Sequence, residues 1–344
     1  MNRSTMRLLT PTIAVVAAAG ALIACTGAGG DKGAAAGKSI PTIAVIPKGT
    51  THEFWKAIHA GAEQAAQELA AQGDTVNLIW KGPLREDDRE QQVQVVEGFI
   101  AQKVDGIVLA PLDVRALARP VEEAKAAGVP TVIIDSGLET DAYLSYVATD
   151  NTKGGELAAD RLGELLGGKG NVLVLRLQEG SASTTAREEG FLARLKAKYP
   201  GITVVSSNQY AGATRETAKQ AAENLLNRFG AELQGIFTPN ESSSTGMLLA
   251  LQDIGKAGKI RFVGFDATQT LLDAMKGGQL DGIAVQNPMR MGYLGVKTMF
   301  AHLRNQPFEK KVDTGVTMVT PETMERPEVQ EIIRPPVDKY LKGS

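Results

Sequence analysis

Cysteine is nearly missing from this chain. Cys25 is the only one in 344 residues, so no disulfide can form within a single molecule. Histidine is almost as scarce: His52, His59 and His302 are the three present. His52 and His59 stand seven apart, and no pair has the spacing of a metal site. Neither a G-x-G-x-x-G loop nor a P-loop occurs, and Gly167-Gly168-Lys169-Gly170 precedes a β-like run where a phosphate cradle would follow one. A G-x-S-x-G nucleophile turn is missing as well. With these gaps the chain is not expected to be an enzyme, and no cofactor or metal is expected. Positive charge does not cluster either. The 37 Lys and Arg are outnumbered by 39 Asp and Glu, for a net charge of −2, which argues against nucleic acid as a partner. Beyond the first 25 residues, no apolar run approaches the ~18 residues needed to span a bilayer.

What is present begins at the N-terminus. Arg3 and Arg7 precede an apolar stretch, Leu8 to Ile23, that closes on Leu22-Ile23-Ala24-Cys25. A positive n-region and an apolar h-region of this length read as a secretory signal. The tetrapeptide resembles the bacterial lipobox, in which Cys25 is acylated and becomes the mature N-terminus. The reading is therefore a lipoprotein signal peptide over 1–24 and a flexible tether over 25–39, where Thr26 to Lys38 is rich in Gly and Ala. It places the protein outside the cytoplasm, in the periplasm or cell envelope, held to a membrane by lipid alone. Loss of Arg3 and Arg7 with the signal takes the net charge from −2 to −4.

From Pro41 onward, short β-branched runs alternate with Ala-rich segments of helical length. Strands are expected at 42–46, 76–80, 106–110, 131–134, 171–175, 203–209, 235–238, 261–265 and 282–285. Glycines at 73, 128, 167 and 255 stand where the intervening helices should stop. Strands without polar alternation, separated by helices, imply parallel sheets covered on both faces. The fold class is α/β and doubly wound, and the mature length of roughly 305 to 320 residues calls for two domains. Ala148-Thr149-Asp150-Asn151 suits a crossing from one to the other. The Pro-containing tail after Val319 reads as a surface wrap.

In open parallel sheets, ligands bind beyond the carboxyl ends of the strands. Those ends carry Lys48 to Trp55 (including His52, Phe54 and Trp55), Asp135, a loop leading to Arg187, Asn240-Glu241, Asp266 and Gln286-Asn287. Carboxylate, guanidinium, amide and aromatic groups together suit a polyol, because each hydroxyl both donates and accepts. Every one of these residues also has a plainer use. Asp and Asn cap helices, Phe54 and Trp55 fill cores, and Arg187 could coat a helix face. Glu86 to Arg89 read as a polar helix entry. What sets these residues apart is that six such places coincide at the strand ends.

With those residues in view, the chain from 41 to 300 resembles the periplasmic ribose-binding family, whose fold is shared with the ligand-binding core of lactose-repressor-type regulators. The stretches that carry the likeness include Ile43-Ala44-Val45-Ile46 with Phe54-Trp55, and Gly128-Val129-Pro130-Thr131-Val132-Ile133-Ile134-Asp135. Arg187-Glu188-Glu189-Gly190-Phe191, Phe237-Thr238-Pro239-Asn240-Glu241, Val263-Gly264-Phe265-Asp266 and Gln286-Asn287-Pro288 continue it. The resemblance implies a type I periplasmic binding protein fold, two lobes joined by a three-stranded hinge. The N-terminal lobe is then 40–148 plus 287–312, and the C-terminal lobe 149–286 plus 313–340, with crossings near Thr149, Gln286 and Asp313. It implies that Phe54 and Trp55 sandwich a sugar ring, while Asp135, Arg187, Asn240, Asp266 and Gln286 bond its hydroxyls. His52 stands where the family often has Asn. Ser136 replaces an Arg, Glu241 replaces an Asp, and Gly212-Ala213 are small where an aromatic wall is common, leaving room for a larger ring. The implied function is capture of a sugar or polyol for an ABC permease with its ATPase, by a monomer. A sensor feeding a chemoreceptor or kinase is the alternative, and an enzyme on the same fold ranks below both.

Overall fold

The computed structural model describes residues 40–342. The signal segment 1–24, Cys25 and the 25–39 tether lie outside the described residues. The described chain runs β1 (Thr42–Ile46), α1 (Glu53–Ala71), β2 (Asn77–Trp80), α2 (Arg89–Gln102), β3 (Gly106–Leu109), α3 (Ala118–Ala126), β4 (Thr131–Ile134) and β5 (Ser145–Ala148). It continues with α4 (Asn151–Leu165), β6 (Lys169–Arg176), α5 (Ala182–Lys198), β7 (Gly201–Tyr210), α6 (Arg215–Phe229), β8 (Gly235–Phe237), α7 (Glu241–Asp253), β9 (Arg261–Phe265), α8 (Gln269–Lys276) and β10 (Gly282–Gln286). The last elements are α9 (Pro288–Leu303), β11 (Lys311–Asp313), β12 (Val316–Val319), α10 (Pro327–Ile333) and α11 (Val337–Leu341).

The strands form two six-stranded sheets, ordered β2-β1-β3-β4-β5-β11 and β7-β6-β8-β9-β10-β12. The first is parallel throughout. The second is parallel except for β12, which runs antiparallel to β10. Strands such as β3 (GIVL) and β4 (TVII) are buried along their whole length, because helices cover both faces. Side chains alternate between those faces. Ile43, Val45, Val132 and Ile134 pack toward α1 and α9, while Ala44, Ile46, Ile107 and Ile133 pack toward α2 and α3. The second sheet divides in the same way, with Leu173 and Ile236 toward α6 and α7 and Val172 and Phe237 toward α4 and α5.

Three crossings join the sheets: after β5, after β10, and between β11 and β12. The first and third are tied together. Thr314 N donates to Ala148 O at 3.0 Å, Asp150 N to Asp313 Oδ1 at 3.2 Å, and Thr149 Oγ1 to Gly315 O at 3.2 Å. Gly315 turns the chain at φ +88°, a conformation open to glycine without Cβ strain.

Two expectations for the tail need correction. It is more than a surface wrap, since Met324, Val329 and Ile333 are buried in the second lobe's core. Nor does all of 313–340 stay with that lobe. Asp313 closes β11 in the first sheet, and α11 packs on α1, where Gln67 Nε2 donates to Tyr340 O at 3.5 Å.

Candidate functional site

All eight positions singled out from the sequence, His52, Phe54, Trp55, Asp135, Arg187, Asn240, Asp266 and Gln286, line one narrow gap between the two sheets. β1 ends at Ile46 and delivers Lys48 and His52; β4 delivers Asp135; α5 carries Arg187; β9 and β10 deliver Asp266 and Gln286. In each lobe the same strand of the winding order, β4 and β9, ends in an aspartate. Both aspartates sit in the left-handed region, Asp135 at φ +63° and Asp266 at φ +65°, which non-glycine residues adopt at a cost of about 1–3 kcal/mol.

On the second lobe, Arg187 is 2 % exposed. Its Nε donates to Asn151 Oδ1 at 2.8 Å and its Nη1 to Pro239 O at 2.9 Å. The guanidinium lies over the Phe265 ring, 4.1 Å from its centroid. Asp266 accepts from Gln286 Nε2 at 2.8 Å and from Glu241 N at 3.1 Å. Burial raises the Asp266 carboxyl to about 6, with Arg187 and Gln286 opposing that rise. Glu241 is held by Arg215 Nη2 at 2.6 Å and reaches across the gap to accept from Phe54 N at 3.2 Å.

On the first lobe, Lys48 Nζ lies 2.9 Å from Asp135 Oδ2. His52 Nδ1 and Trp55 Nε1 meet the same oxygen, Glu86 Oε1, at 2.7 and 2.5 Å. Burial works against charge on His52, yet the adjacent Glu86 carboxylate lifts the imidazole to about 9. Burial likewise opposes ionisation of Glu86, but His52, Lys48 and the indole N–H together leave it below the usual carboxylate range.

Several expectations change on contact with this geometry. Phe54 and Trp55 cannot sandwich a ring between them, since they meet edge to face with centroids 5.0 Å apart at 88°. Trp55 is core, with its N–H committed to Glu86. Glu86 is no polar helix entry but a buried member of the cluster, and Asp88 caps α2 instead. Gly212 and Ala213 do not line the gap, so the extra room expected there is not part of it. Asn240 does what its plainer reading said: its Oδ1 accepts from Ser243 N at 3.3 Å, capping α7. Lys48, Glu86, Ser183 and Glu241 also line the gap. Lys48 and Glu241 stood among the residues at strand ends but were not assigned to the ligand; Glu86 lies in a run of charges with nothing to set it apart. A larger cavity of about 240 Å3, lined on one side by Ile332, Ile333, Arg334, Pro335 and Val337, shares only Phe54, Asp266 and Gln286 with the gap.

One buried acceptor remains without a hydrogen-bond donor in this cluster, Gln286 Oε1; Asp135 Oδ2 is met by the Lys48 ammonium at 2.9 Å. Leaving such an atom unmatched costs about 1–3 kcal/mol.

The sequence profile of the family described as periplasmic binding protein domain matches residues 43–307. The xylitol-binding protein of Mycolicibacterium smegmatis is 29 % identical over 279 residues, 81 % of this chain and 77 % of that protein. Among solved structures, a carbohydrate-transporter solute-binding protein of Agrobacterium radiobacter in complex with D-arabinose superposes with a TM-score of 0.82. It is 33 % identical and covers 86 % of this chain and 99 % of its own. An ABC-transporter solute-binding protein of Agrobacterium vitis with bound D-fucose gives 0.80 at 36 % identity, covering 85 % and 99 %.

Proposed function

Since the chain belongs to the periplasmic binding protein domain family, we propose that it captures a neutral sugar or polyol in the gap between its lobes and performs no chemistry on it. A role in sugar transport fits its relatives, which are binding proteins of that kind. The observation that carries the ligand class is the convergence of carboxylate, guanidinium and amide groups from both lobes on one gap, with Gln286 Oε1 left without a donor, a mixture that suits hydroxyls because each both donates and accepts. The charge balance supports it. Lys48, His52, Arg187 and Arg215 face Glu86, Asp135, Glu241 and Asp266, so the cluster has no net charge for an ionic ligand to neutralise. Within this reading Asp135, Arg187, Asp266 and Gln286 bond hydroxyls, His52 offers Nε2, Asn240 offers its second amide proton, and Phe54 covers a C–H face. Trp55 backs the wall.

From the N-terminal sequence comes the proposal that Cys25 carries a lipid and that the protein works outside the cytoplasm on its tether; from the family comes the proposal that it acts as a monomer whose loaded form docks on an ABC permease driven by its ATPase. Ligand bonded to both lobes favours the closed arrangement by its differential affinity. A thermal-shift screen tests the binding claim. Neutral pentoses, hexoses and alditols are run beside amino acids and anionic solutes, and a ligand at 100 times its Kd adds about 2.7 kcal/mol to stability. A shift confined to neutral polyhydroxy compounds is expected; a shift produced by charged solutes alone would overturn the reading.

A further inference from the structure

The loop from the end of β6 into α5 is bonded almost residue by residue to the opposite lobe. Gln178 Nε2 donates to Glu86 O at 2.9 Å, and Glu179 O accepts from Arg89 Nη2 at 2.8 Å. Gly180 O accepts from Val114 N at 2.9 Å. Ser183 N donates to Ser136 Oγ at 3.1 Å, and Ser183 Oγ accepts from Lys48 Nζ at 3.1 Å. Every donor and acceptor in this set belongs to the protein, so none of these bonds requires a ligand atom.

Gly180 makes the close approach feasible. It adopts φ +87°, and a Cβ built on it would stand 2.1 Å from Asp113 Oδ2 of the first lobe. That contact exists only while the lobes are together, because Gly180 and Asp113 belong to different sheets' loops. A side chain at 180 would force the Asp113 carboxylate, held by Arg89 Nε at 2.9 Å, to shift while the lobes are together, and it disfavours this backbone conformation.

We propose that residues 178–183 form a ligand-independent latch, and that Gly180 sets how much of the protein is closed before ligand arrives. The apparent Kd of a ligand that needs the closed state is its intrinsic Kd divided by the closed fraction. Gly180 touches none of the residues assigned to the ligand, so it governs affinity for every ligand by the same factor. This deepens the binding reading above and rests on it for the affinity arm alone.

The test uses the full chain, with small-angle scattering in buffer and calorimetry with any solute that shifts the melting temperature. Ligand-free wild type is expected to scatter as a compact particle, and Gly180→Ala as a more open one with a larger radius of gyration. Affinity for all binding solutes should fall alike, by about tenfold for a tenfold smaller closed fraction. The double variant Arg89→Ala/Gln178→Ala, which removes two latch bonds without touching the Gly180 backbone, should open the particle in the same sense. It carries the test if Gly180→Ala does not fold. Wild-type radii for both the single and the double variant would overturn the latch, as would ligand-free wild type already scattering as the open particle. If no polyhydroxy compound binds at all, the binding reading fails, while the ligand-free radii still decide the latch.

Discussion

Asp266 is buried at the end of β9 with Gln286 and the Glu241 N–H on its two oxygens. Burial holds its carboxyl at about 6, above the ordinary 3.8. For a carboxyl raised in this way, the stabilising contribution is present in full below its unfolded pKa and is lost as pH rises through about 6. Hydroxyls donating to the carboxylate favour its ionised form, so binding should release a proton most strongly near pH 6. Calorimetry in buffers of different ionisation enthalpy reads this directly, and Asp266→Asn should abolish the release; proton uptake instead would contradict the assignment. At this scale the sequence was partly legible. Positions at strand ends could be named because topology puts them at the crevice. Asn240 looked the same in sequence as Asp266 yet spends its carbonyl oxygen on a helix cap, because only the rotamer separates the two uses. Glu86 was missed because burial alone distinguishes it from the charged residues beside it.

Helix pairs hold these residues in place, and each lobe uses the same device. In the first, Gly61 and Gly292 let α1 and α9 approach so closely that a Cβ would fall 1.8 Å from Met289 O and 1.9 Å from Ile58 O. In the second, Gly155 and Gly190 do so for α4 and α5, with Cβ positions 2.0 Å from Arg187 O and 2.5 Å from Thr152 O. The neighbours are backbone, which cannot swing aside. Gly155→Ala should therefore cost about 1–3 kcal/mol in urea unfolding, and it should weaken ligand binding because it displaces Arg187 itself. A variant with unchanged stability and affinity would show that the approach is not required. Strands were the most legible elements, since unbroken apolar runs admit few other places. β11 and β12 escaped notice: KVD and VTMV owe their strand state to the neighbours β5 and β10 and not to their own pattern.

Across the whole molecule, the two sheets repeat one winding order and meet along a gap whose charges balance. The tail ties them once more, since α10 lies on the second lobe and α11 on the first. Ending the chain at 319 strips Met324, Val329 and Ile333 from the core. At about 2–5 kcal/mol for each large core side chain lost, against a typical total of 5–15 kcal/mol, that protein should fail to fold. Ending it at 336 removes only α11, which buries no residue of its own, and should lower stability by about 1 kcal/mol or less. Equal losses in scanning calorimetry would contradict this division. The proposed ligand is one neutral, hydroxyl-rich molecule held by groups from both lobes. Titration calorimetry of wild type, Asp135→Ala and Arg187→Ala against the solute that gives the largest thermal shift tests this proposal most directly. Each variant should lose about 2–5 kcal/mol of binding free energy while keeping a cooperative melt. Binding as tight as wild type in both variants would show that the ligand sits elsewhere.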